Sequence, residues 1–162
     1  MDTVLSQQNL EEMLDQAVQE VAEQTAGVRL YRKENFVGED LCTIHITFNR
    51  GFRSCLSLCA DTALVARMAR NAFGVDELTP QDLEDFGKEY CNMLCGKIAA
   101  FLFRTTQVAA RFSVPSFFQG RFVPEDFQAQ FALSYSDDQP KSAQLTHYIP
   151  CLRECAAAPG VT

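Results

Sequence analysis

The chain has 162 residues, 47% of them hydrophobic and 22% charged, which is typical of one globular domain and excludes collagen, coiled coil and wholesale disorder. Fourteen basic and 21 acidic residues give a net charge of −7. That charge repels nucleic-acid phosphates and anionic membrane surfaces, so we expect neither as a partner. The short basic stretches, such as Arg50 and Arg53, are explained by a solvated face.

The N-terminus and the cysteines favour a cytoplasmic protein. Residues 1–15 have neither the basic start nor the unbroken apolar run of a signal peptide. The longest apolar stretch, residues 98–103, is too short to cross a bilayer. The seven cysteines are an odd number in a chain that is large enough to fold without disulfides, so we expect reduced thiols.

Hydrophobic periodicity predicts three helices and six strands. In chain order they are a helix over 4–25, strands over 28–34, 40–49 and 52–59, helices over 61–74 and 80–104, and strands over 107–113, 127–136 and 142–149. These elements belong to one domain over residues 1–150, and residues 151–162 are predicted to be a weakly ordered tail. Runs of hairpin-like strands between long helices indicate an α+β fold with helices on one face of an antiparallel sheet.

Residues at the helix ends support these boundaries. Gly27 is placed to end the first helix, and Asp61 is a candidate cap for the second. The third helix has the strongest start, because Thr79 is an N-cap, Pro80 occupies the first helical position and Asp82 follows three residues after the cap.

The third helix has one apolar face and one polar face. On a helical wheel the apolar face consists of Leu83, Phe86, Tyr90, Met93, Leu94, Ile98 and Phe101. Asp85, Glu89, Asn92 and Gly96 form a row on the opposite side, which we call the polar row. A glycine inside a helix costs about 1 kcal/mol relative to alanine, and one use for that cost is the close approach of another surface.

The polar row has two interpretations. The simpler is a solvated surface, which is the commonest role of polar residues on a helix. However, asparagine is a poor residue for a helix interior, because its amide competes for backbone groups. Glu89 and Asn92, three residues apart, present a carboxylate beside a carboxamide, and a carboxamide that donates and accepts at once is suited to orienting a water molecule.

These residues also fit a known pattern. The CheC/CheX/FliY phosphatases of bacterial chemotaxis carry Asp or Ser, three residues, Glu, two residues, Asn, twenty-two residues and Pro. Here Asp85, Glu89, Asn92 and Pro115 match all four positions. The order of elements over about residues 5–150 is similar to CheX, which has a single such site. The first helix has Gln16, Glu20 and Glu23 at the corresponding spacing without an Asn, so no second site is predicted.

The resemblance implies a phosphatase for the aspartyl-phosphate of a CheY-like response regulator. In that role Asn92 orients the attacking water and Glu89 pairs with the regulator's active-site Lys. The regulator supplies its own Mg²⁺, so no cofactor or metal is expected on this chain. Asp85 is expected to contribute to docking and Pro115 to shape a loop near the helix, while Gly96 would allow close approach. The resemblance also implies a homodimer formed by joining sheet edges.

Three further possibilities remain open at this stage. A non-catalytic module of the same fold would dock a regulator without turnover, and the bulky Cys91 and Cys95 beside the motif keep that alternative alive. Cysteines also recur four residues apart, a spacing at which two thiolates on a helix can share a metal ion or form a redox site, but the C-x-x-C spacing of common metal sites is absent. Of these cysteines, Cys95 is expected toward the flank of the polar row. Most residues of a phenylalanine cluster are expected in the core, whereas Phe117 and Phe118 are left open as a dimerisation patch.

Overall fold

In the computed structural model the chain forms an α+β layer structure. The structure describes residues 6–51 and 53–151. Residues 152–162 of the predicted tail, and Phe52 at the start of the predicted hairpin partner, lie outside the described residues. Within the described ranges no helix is long and apolar enough to span a membrane.

Three helices and seven strands make up the described chain. They are α1 (Gln7–Ala26), β1 (Tyr31–Lys33), β2 (Leu41–Arg50), β3 (Ser54–Asp61), α2 (Thr62–Phe73), α3 (Pro80–Thr106), β4 (Arg111–Phe112), β5 (Ser116–Gln119), β6 (Phe127–Ser136) and β7 (Ser142–Pro150). The sheet is antiparallel, with the order β1-β6-β7-β3-β2-β4, and β5 also pairs with β2. The predicted fold class is therefore confirmed.

The helix ends behave largely as the sequence predicts. Gly27 ends α1 in the left-handed conformation with φ of 63°, where glycine carries no steric penalty. Thr79 and Asp82 form a reciprocal capping box at the start of α3. Asp61 differs from the prediction, because its carboxylate does not cap α2. It accepts instead from the backbone N–H groups of Glu39 and Ser142, which ties the loop before β2 and the start of β7 to the end of β3.

The hydrophobic core lies between the helices and one face of the sheet. Alternate residues of β2, among them Ile44 and Ile46, are buried in this core. Tyr90 of α3 crosses the core and donates its hydroxyl to the Val18 carbonyl of α1 over 2.9 Å. Part of the second face of the sheet is covered by the segment after β5, where the ring centroids of Phe122 and His45 lie 4.9 Å apart.

The strands depart from prediction on the far side of α3. The predicted strand over 107–113 is reduced to β4 at its end, and the unpredicted β5 follows Pro115. Both strands pair with β2, whose sequence is some seventy residues distant. Phe112 contacts the core as expected, and Phe117, which the sequence left open, packs against it too. Phe118 stacks on Phe122 at 4.1 Å between ring centroids.

Candidate functional site

The polar row stands on a helix that is fixed at both ends and along one face. The capping box holds the first turn of α3, and Gln107 ends the helix in the left-handed conformation. The opposite face is anchored by buried residues, including Tyr90, Leu94 and Ile98. A side chain on the outer face is therefore presented from a rigid backbone, which is what a preorganised site requires.

All four residues of the row are exposed. Asp85, Glu89, Asn92 and Gly96 lie at the surface, while the intervening Phe86, Tyr90 and Cys95 are buried. The wheel therefore assigned the two faces correctly. Cys95 is the exception, because it is only 1% exposed and belongs to the core rather than to the flank of the row.

Glu89 and Asn92 have no partner within the described part of the chain. Neither side chain forms a hydrogen bond or an ion pair there, although each can form several. Their neighbours on α3 are engaged, since Gln81 donates to Asp85 over 2.8 Å and Lys88 pairs with Glu84 over 2.7 Å. The carboxylate and the amide at the centre of the row are thus free to bind another molecule.

The corresponding row of α1 differs in this respect. Gln16 donates to Glu20 over 3.0 Å, Glu20 also lies 3.6 Å from the Lys97 ammonium, and Glu23 pairs with Arg29 over 3.5 Å. These side chains have partners on this chain, whereas Glu89 and Asn92 have none among the described residues. The contrast agrees with the expectation of a single site.

The two glycines of α3 have different surroundings. A Cβ atom added at Gly87 would lie 3.1 Å from the side chain of Ile44, so packing inside the chain explains that glycine. A Cβ atom at Gly96 would meet nothing within 4 Å. No contact among the described residues therefore requires a glycine at position 96.

Pro115 occupies a different environment from the row. It is buried in the connection between β4 and β5, and β5 packs against α3. Gln81, which sequence reasoning overlooked, orients the Asp85 carboxylate. Its signal was present in the sequence, because residues four apart on a helix are neighbours.

The cysteines behind the row are structural rather than reactive. Burial raises the pKa of the Cys91 thiol well above its ordinary value and that of Cys95 to about 12. Both thiols are therefore protonated near neutral pH, the form that neither attacks nor binds metal. No group of three or more His, Cys, Asp or Glu residues in the described ranges is arranged to hold a metal ion.

Comparison with solved structures gives the same fold with low sequence identity. CheX from Vibrio vulnificus superposes with a TM-score of 0.70 at 13% identity, covering 89% of this chain and 99% of that chain. CheX from Desulfovibrio desulfuricans superposes with a TM-score of 0.65 at 18% identity, covering 85% of this chain and 97% of that chain. A chain of the CheX–CheY–BeF₃–Mg²⁺ complex from Borrelia burgdorferi superposes with a TM-score of 0.66 at 11% identity, covering 86% of this chain and 96% of that chain.

Sequence comparison assigns the family. No curated protein sequence matches the chain significantly. The family model described as chemotaxis phosphatase CheX matches residues 42–130, more than half of the chain and a range that includes the whole of α3. The chain therefore belongs to the CheX family of chemotaxis phosphatases.

Proposed function

We propose that this protein hydrolyses the aspartyl-phosphate of a CheY-like response regulator. The observation that carries the proposal is the pair Glu89 and Asn92, exposed on a capped helix and without partners among the described residues. Membership of the CheX family supports the same reaction, and the Borrelia burgdorferi CheX is found in a complex with CheY. We place this activity in the cytoplasm.

Asn92 acts on the attacking water. Its carboxamide oxygen accepts a hydrogen bond from the water while its NH₂ group donates to the phosphoryl oxygens, and this holds the water in line with phosphorus. The acyl phosphate is already reactive, so fixing the geometry of attack is sufficient for a large acceleration. The water oxygen forms a bond to phosphorus, the bond to the regulator's aspartate breaks, and inorganic phosphate leaves.

Glu89 fixes the docking angle. Its carboxylate pairs with the active-site Lys of the regulator in a charge-assisted contact. The regulator supplies that Lys together with Mg²⁺, so the chain needs no cofactor of its own. Asp85, held by Gln81, contributes to docking, Gly96 allows close approach, and Pro115 shapes the loop that supports α3 through β5.

A homodimer formed by joining sheet edges completes the proposal, with one site in each subunit. The edge strand β1 supports it, because Tyr31, Arg32 and Lys33 are all exposed and, among the described strands, pair with β6 alone. Such an edge is available to a second strand. Light scattering should give twice the mass of one chain, and the mass of one chain would contradict the dimer.

Turnover separates this proposal from a non-catalytic docking module. CheY phosphorylated by acetyl phosphate is mixed with the purified protein, and phosphate release is followed with time. The phosphatase accelerates release catalytically, whereas a module binds CheY carrying beryllofluoride and Mg²⁺ without faster release. Glu89→Ala should weaken that binding and slow turnover, while Glu23→Ala on α1 provides a matched control that should change neither.

A further inference from the structure

The exposed row of α3 continues beyond Gly96 with a different character. Ala100 and Phe103 follow Gly96 at the same spacing of four and three residues that separates the polar members. Both are exposed, and Phe103 keeps 49% of its surface accessible to solvent. The row is therefore polar in its N-terminal half and apolar in its C-terminal half.

Contacts among the described residues do not account for this apolar half. The adjacent Leu102 is 3% exposed and Phe101 packs against the core, whereas Phe103 points away from both. On the same row, no described residue lies within 4 Å of a Cβ atom added at Gly96. An exposed aromatic side chain that follows two small residues, Gly96 and Ala100, on one helix face is typical of the centre of a protein interface.

Phe103 lies within reach of a partner docked on Asn92. Phe103 lies eleven residues after Asn92, which is about 16 Å along a helix at 1.5 Å per residue. A compact domain of about 100 residues has a radius of gyration of about 13 Å and is therefore more than 26 Å across. A domain whose phosphorylation site lies over Asn92 therefore reaches Phe103 if its body extends toward the C-terminus of α3.

Charge distinguishes the two ends of the row. Asp85 and Glu89 make the N-terminal half anionic, and the pair with Glu20 neutralises Lys97. Arg104, next to Phe103, is exposed and forms no ion pair with a described carboxylate. The C-terminal half thus offers an aromatic ring with an adjacent free cation, a combination that is enriched at interfaces.

We propose that Phe103, with Ala100, is a specificity-determining contact for the phosphorylated receiver domain, which covers α3 from Asn92 to the C-terminal end. This inference rests on the proposed function. Asn92 acts on the water and contributes to the chemical step, whereas Phe103 contacts the body of the receiver and contributes to its affinity. The two residues therefore affect different kinetic constants.

Steady-state kinetics with CheY phosphorylated by acetyl phosphate tests the assignment. Phe103→Ala should raise KM about ten-fold, the effect of truncating one central interface aromatic, and leave kcat within about two-fold. Phe103→Leu should restore most of the affinity. Ala100→Gln, which keeps a good helix former but adds bulk, should also raise KM. Val37→Ala is the matched control, because Val37 is 71% exposed in the loop between β1 and β2, and it should leave both constants unchanged.

The outcomes separate this inference from the proposed function. Wild-type protein that neither binds nor dephosphorylates CheY overturns both. Normal turnover with an unchanged KM in Phe103→Ala and Ala100→Gln overturns this inference alone. A Phe103→Ala variant that converts a dimer to a monomer also overturns it, because the surface would then bind a second copy of the chain.

Discussion

Substitution of Gly96 by alanine should make the protein more stable and less able to dock. The glycine does not have a left-handed backbone, and the added Cβ atom meets no described residue within 4 Å. The folded helix therefore gains the propensity difference of about 1 kcal/mol without a steric cost. In a domain of this size that gain raises Tm by about 2–4 °C.

The expected effect on docking has the opposite sign. In the proposed complex the regulator approaches the backbone at Gly96, one turn beyond Asn92, and a methyl group there separates the two surfaces. We expect KM for phosphorylated CheY to rise about five- to ten-fold, since a poorly packed interface position costs 1 kcal/mol or more. Steady-state phosphate release and thermal unfolding, measured on the same preparation, give the two values.

Gly87→Ala is the internal comparison for this experiment. Its Cβ atom would approach the buried Ile44 side chain at 3.1 Å, and overpacking of a core offsets the gain in helix propensity. This variant should be less stable than Gly96→Ala. A Gly96→Ala protein with an unchanged KM would refute close approach at this position, and a lowered Tm would refute the open surroundings on which the reasoning depends.

Two further predictions concern buried groups. Because burial raises the pKa of Cys91 and Cys95, iodoacetamide at pH 8 should label them at least about ten-fold more slowly than the half-buried Cys151. Mass spectrometry measures the labelling rates, and equal rates at the three cysteines would be inconsistent with the structure. Burial also lowers the pKa of His147 to about 4, so between pH 6.5 and 4 the unfolded chain binds a proton that the folded chain does not. The free energy of unfolding should therefore fall as the pH is lowered from 6.5 to 4, by up to about 3 kcal/mol from this group. In urea titrations His147→Gln should reduce this pH dependence. The same pH dependence in the variant and in the wild-type protein would show that other groups cause it.

The candidate site was predictable because it depends on local rules. Capping at Thr79 fixes where α3 begins, and the periodicity then decides which side chains face outward. The exposure of Glu89 and Asn92 follows from these two facts alone. That their side chains lack partners does not follow, because it depends on which residues of other elements come near.

The features that sequence reasoning missed depend on distant contacts. β5 is four residues long and forms because it pairs with β2, so no local pattern distinguishes it from a loop. Asp61 is of a residue type that favours the N-cap, yet its carboxylate accepts from the backbone N–H groups of Glu39, in the loop before β2, and of Ser142, at the start of β7. Cys95 lies at the boundary between the polar and apolar faces of the helical wheel, and the packing of neighbouring elements decides that it is buried.

The decay of CheY aspartyl-phosphate with saturating protein tests the central claim most directly. Wild-type protein and Asn92→Ala are compared with CheY alone in single-turnover experiments. The account predicts rapid decay with wild-type protein and a rate about 10²-fold slower with the folded Asn92→Ala variant, the scale of losing one preorganised transition-state contact. Equal rates for the two proteins would contradict the assignment of Asn92 to the attacking water.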